Sequence, residues 1–97
     1  MQPNQLPIPP PAQTDPNAIE LLRVWAAHKK QHVSLATPVW DDPAAWGIML
    51  VDLAKLVAAA YMKSQGRDPQ EVLLRIREGF DAEWGTATDE PSGEFLA

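Results

Sequence analysis

The chain has no cysteine among its 97 residues, which excludes both a disulfide frame and a thiolate metal site. Basic residues are scarce: eight Lys and Arg stand against thirteen Asp and Glu, and Lys29-Lys30 is the one adjacent basic pair. Phosphate backbones are held by clusters of such residues, so nucleic acid is disfavoured as a partner. The greasiest segment is interrupted by Asp52 and Lys55 and falls short of the roughly 18 uninterrupted apolar residues of a membrane span, so no membrane association is expected. The start, Met1-Gln2-Pro3-Asn4-Gln5, lacks the basic region and apolar run of a signal peptide, and a cytoplasmic location is expected. There is no internal repeat.

What is present fits one small domain. Apolar residues make up 45% of the chain, but both ends are too polar or proline-rich to join a core, leaving about 70 residues to pack. A core of that size sits toward the low end of the roughly 5–15 kcal/mol range of stabilities, so partner subunits matter. The net charge of −5 is uneven, with +1 through Trp40, zero over 41–67, and −3 in each of 68–86 and 87–97.

Residues 1–14 hold Pro3, Pro7, Pro9, Pro10 and Pro11 and no side-chain charge, which predicts an extended polyproline tail or surface strap. Pro7-Ile8-Pro9-Pro10 also fits the loose pattern read by aromatic-grooved domains, a pattern common by chance. Asp15-Pro16 reads as a cap and first-turn proline, and one turn of helix is expected at 16–19. Beyond it Leu22, Val24 and Ala26 alternate with Arg23 and Trp25, and Val33 and Leu35 alternate with His32 and Ser34. These runs predict a β-hairpin over about 20–27 and 31–37, with Leu22, Val24 and Ala26 inward and Trp25 outward. The loop, His28-Lys29-Lys30-Gln31, lacks the glycine that short hairpin loops prefer.

Asp42 and Pro43 predict a helix from about 43 to 64 ending at Gly66. Trp46, Met49, Leu50, Leu53, Val57, Ala60 and Tyr61 share a broad face, expected to lie on the hairpin. Gly47, Ala54 and Ala58 form a stripe of small residues that would receive a second helix or a copy of itself. That second helix is signalled by Asp68-Pro69-Gln70-Glu71, a capping-box pattern, and runs over about 69–84 with Val72, Leu73, Ile76, Phe80 and Trp84 on one face. Gly79 inside it implies close packing, and residues 87–97 are expected to be an acidic disordered tail. The expected fold is α+β: a hairpin packed on two antiparallel helices, with one domain at 15–86 between the two end segments.

Three strings, Gln31-His32-Val33-Ser34-Leu35, Trp40-Asp41-Asp42-Pro43-Ala44-Ala45-Trp46-Gly47 and Arg75-Ile76-Arg77-Glu78-Gly79-Phe80-Asp81-Ala82-Glu83-Trp84, occur in order. With them the stretch from about Leu6 to Trp84 resembles the small bacterial proteins of domain-of-unknown-function family 5076. The resemblance implies no reaction, cofactor or catalytic residue. It supports the hairpin, since members often carry glycines where this chain has His28-Lys29-Lys30.

His32 and Ser34 share one side of a strand, and with Asp41 or Asp42 they sketch a nucleophile, base and orienting acid. No glycine-rich oxyanion loop accompanies them, and a surface histidine is the simpler reading. His28, His32 and a carboxylate would make a borderline metal site, but no metal or cofactor is expected. Asp41-Asp42 is most simply a helix cap. Trp46 and Trp84 have core spacing. Arg23, Trp25, His32 and Ser34 on one sheet face form a candidate binding patch, unless the N-terminal strap covers Trp25. The leading expectation is a non-enzymatic interaction protein, a homodimer or one with a protein partner; a small-ligand binder or enzyme at that patch is the alternative.

Overall fold

The structure, a computed structural model, describes residues 4–36, 39–86 and 92–96, the last by strand and register. Six elements follow one another: α1 (Pro10–Thr14), β1 (Leu22–Ala27), β2 (Lys30–Ala36), α2 (Ala44–Gln65), α3 (Pro69–Gly85) and β3 (Ser92–Leu96). The arrangement is α+β, with the antiparallel hairpin and the two long helices in the expected order. Thr37, placed at the end of the second strand, and residues 87–91 and 97 of the tail lie outside the described residues. The chain forms two compact units, one of residues Met1–Val39 with Ser92–Ala97 and one of Trp40–Pro91.

In the first unit, the proline-rich stretch expected to be extended contains the short helix α1. Pro10 and Pro11 sit in its first turn, where backbone N–H groups have no intrahelical acceptor and their loss costs nothing. The helical turn expected at 16–19 is instead a β-turn. Asp15 accepts from the Asn17 backbone N–H at 2.9 Å through its side chain and from the Ala18 N–H at 3.1 Å through its carbonyl.

The hairpin pairs Leu22 with Leu35 through Ala27 with Lys30, leaving a loop of only His28 and Lys29. Both loop residues have positive φ, 53° and 63°, as a type I′ turn requires at its two central positions. Neither is glycine, so each carries the cost of a side chain in the left-handed region. Lys29→Gly is expected to raise stability by about 0.5–1 kcal/mol, relief of that cost being partly offset by the freer unfolded chain. A denaturant melt with an unmoved or lowered midpoint would contradict this.

Two findings correct the sequence reading here. The alternation along β1 is exchanged beyond Leu22, which is half-buried as expected: Val24 is 48% exposed and Ala26 is open, while Arg23, Trp25 and Ala27 are half-buried. Residues 92–96 of the expected disordered tail form β3, parallel to β2, which makes a three-stranded sheet in the order β1-β2-β3. A parallel partner needs a long crossover, and the helical unit between β2 and β3 supplies it.

In the second unit, Asp42 starts α2 as expected, its Oδ1 accepting from the Ala44 N–H at 3.0 Å. Gly66, at φ 66°, ends the helix, its N–H donating to the Met62 carbonyl at 2.9 Å. Asp68 caps α3 by accepting from the Gln70 N–H at 3.2 Å, and among the described residues the reciprocal bond from Glu71 does not form. The two helices pack on each other, and their buried residues are Ala58 on α2 (1% exposed) and Val72 on α3 (3%). The small-residue stripe therefore receives the second helix at Ala58, where the absence of a long side chain lets α3 approach.

That contact is local. Phe80 is half-open and Trp84 is 81% exposed, so Trp84 is not a core residue despite its spacing. It stacks on Phe80 with ring centroids 5.5 Å apart. A Cβ added at Gly79 would meet nothing within 4 Å, so close packing does not explain this glycine. Gly79→Ala is accordingly expected to stabilise the protein by about 0.5–1 kcal/mol, and a lower thermal midpoint would refute that expectation.

Candidate functional site

Strand register brings all four residues of the expected patch together. Trp25 stands opposite His32 and Arg23 opposite Ser34, and because residues two apart share a side, the four form a block on one sheet face. Trp25 and Ser34 are half-buried and His32 is exposed. Two of its members, Arg23 and His32, are held in place by bonds within their own stretch of chain. Arg23 pairs with Glu20 at 2.9 Å, a residue the sequence reading did not connect to it, although their spacing of three permits the contact.

His32 donates from Nε2 to the Ala27 carbonyl at 3.1 Å. A carbonyl only accepts, so this bond requires the proton on Nε2 and removes that nitrogen as a general base. No hydrogen bond joins His32 to Ser34 among the described residues, and strand neighbours two apart lie about 6.6 Å from each other. The nucleophile and base sketch therefore lacks its central contact. Asp42 is occupied in capping α2. Among the described residues no three His, Asp or Glu side chains gather as metal ligands.

A larger surface was not singled out as open. The broad face of α2, expected to be covered, is largely open: Leu50, Leu53 and Val57 are 49%, 42% and 44% exposed while Trp46, Met49 and Tyr61 are half-buried, and Leu56 beside it is more exposed still. Trp46 is half-buried, its ring meeting Trp40 edge-on at 4.9 Å between centroids. The signal was the low polarity of the helix all round; what the pattern could not give was which faces the chain itself covers. By length and composition alone α2 could also cross a membrane.

Residues 5–88 match the family described as "Domain of unknown function (DUF5076)". The chain belongs to that family. The match takes in the hairpin, both long helices and the patch, so the surfaces described above belong to the DUF5076 domain itself. No curated protein matches the chain. Among solved structures it is similar to one described as "a putative pyruvate dehydrogenase from the photosynthetic bacterium Rhodopseudomonas palustrus CGA009", with 32% identity and a TM-score of 0.76, covering 99% of this chain and 98% of the other. That likeness carries the fold of this DUF5076 member, and the name says something of the other protein alone.

Proposed function

We propose that this protein is a small non-enzymatic interaction protein of the bacterial cytoplasm that works through the open apolar face of α2. The observation that carries this reading is the exposure of Leu50, Leu53, Leu56 and Val57 on one face of a helix whose sole buried residue is Ala58. Contiguous apolar surface of this kind favours a protein partner. A lipid surface is the competing occupant. Asp52 and Lys55 oppose it, since each would cost about 2.5–3.5 kcal/mol at a bilayer centre, and the net charge of −5 repels anionic headgroups.

The test is Leu53→Glu, followed by sedimentation velocity and circular dichroism. Association is expected to fall by tenfold or more while helix content holds, because Leu53 is already 42% exposed in the single chain. Unchanged association, or flotation of the native chain with neutral phosphatidylcholine vesicles, would overturn the proposal. A second reading, of a small-ligand binder or enzyme, is supported by Arg23, Trp25, His32 and Ser34 sharing one sheet face. It is favoured instead if Trp25→Ala abolishes association and Leu53→Glu does not.

A further inference from the structure

We propose that β1 pairs along its free edge with β1 of a second copy, the two strands antiparallel about a two-fold axis through Val24, so that Arg23 of each copy lies against Trp25 of the other. The surface is a strand edge and not a helix face, so the inference stands apart from the reading of α2. β1 is an outer strand of the sheet order β1-β2-β3. Its main chain shows which groups face outward. The Ala36 N–H donates to the Leu21 carbonyl at 3.0 Å, and these residues are opposite one another in the continued register, so the bonded positions are Leu21, Arg23, Trp25 and Ala27. The N–H and C=O groups of Leu22, Val24 and Ala26 therefore point away from β2. Among the described residues nothing bonds to them.

Such an edge is a template for another strand. β1 lacks the usual guards: its register with β2 is unbroken by a bulge, it has no proline or lysine, and its one charge, Arg23, is paired with Glu20 at 2.9 Å. The other outer strand, β3, carries a glycine and a glutamate among its five residues, and both blunt an edge. Register on β1 follows from the residues. A two-fold at Val24 sets Val24 against Val24 and Leu22 against Ala26, and every outward group of both copies gains a partner. Arg23 and Trp25 then meet at the unbonded pairs, where side chains come closest, and a guanidinium stacks on an indole. Centring on Arg23 instead opposes like charges and runs Ala26 past the strand to Glu20. Centring on Trp25 runs Leu22 into His28, whose φ of 53° ends the ladder.

Charge placed at the axis tests this register by analytical ultracentrifugation, on the full chain carrying Leu53→Glu so that association through α2 does not contribute. That chain is expected to sediment as a dimer. Adding Val24→Lys or Val24→Glu opposes like charges across the axis and weakens the dimer about three- to tenfold, at a position already 48% exposed in the single chain. An equal mixture of the two restores it, because opposite charges then meet. Val24→Pro removes an outward N–H without touching a bond to β2, and is expected to weaken the dimer tenfold or more with circular dichroism unchanged. A monomeric Leu53→Glu chain, Val24 variants that associate as before, or a mixture no tighter than its parts would overturn the proposal. The two readings fail separately. A native chain whose association drops with the Val24 changes but not with Leu53→Glu supports the β1 edge and counts against α2 as the working surface.

Discussion

Ala58→Arg is expected to unfold the helical unit. Ala58 is 1% exposed and lies where α3 crosses α2, so an arginine there must either push the helices apart or bury a guanidinium without an acid to receive it. The first outcome is overpacking, at about 1–3 kcal/mol, and the second leaves an uncompensated charge, at about 3–5 kcal/mol. Against a total stability near the low end of about 5–15 kcal/mol, either removes much of the margin. Circular dichroism should show lost helix or a thermal midpoint far below that of Leu53→Glu, which alters an open position of the same helix. A native-like melt for Ala58→Arg would show that the helix contact is not what holds this unit. From the sequence, Ala58 served equally well as a contact point between copies; its burial inside one chain makes it a stability probe.

Features fixed by neighbouring residues were the ones a reader of the sequence could place. Asp42, Gly66 and Asp68 satisfy or end a helix through atoms one to four residues away, and all three act where the pattern put them. The hairpin was legible for the same reason: its two runs are adjacent and alternate with period two. Its sides were not, because alternation defines two faces and says nothing of which one the rest of the chain covers, and Arg23 made its own face look solvated. β3 was hidden more deeply. Ser92–Leu96 is five residues long behind a Gly- and acid-rich stretch, and its pairing with β2 spans the whole helical unit, beyond the reach of any local signal.

The candidate patch shows both sides of this limit. Placing Arg23, Trp25, His32 and Ser34 on one face needed only the register, and register follows from the loop. What each side chain bonds to needed coordinates. The Glu20 contact ties down Arg23, and the Ala27 carbonyl decides where His32 holds its proton. Together these local bonds account for the placement of two of the four side chains. The open face of α2 was misjudged for the opposite reason: apolarity all round demands cover, but a sequence does not say whether the cover comes from its own chain.

Val72→Ala should cost more than Trp84→Ala, although the second removes far more side chain. Val72 is 3% exposed and opposes α2, so losing two methyl groups forfeits their transfer energy and leaves a cavity in the smallest of cores, about 2–3 kcal/mol together. Trp84 is 81% exposed, and its removal loses little beyond the stacking on Phe80, about 0.5–1 kcal/mol. Urea melts monitored by helix ellipticity compare the two directly at a protein concentration low enough to suppress association. The reverse order, with Trp84→Ala the more damaging, would mean that Trp84 is covered in solution, and would make the far end of α3 a second place where one chain meets another. Repeating the pair of melts at high concentration separates those cases, since a loss that grows with concentration belongs to an interface and a loss that does not belongs to the single chain.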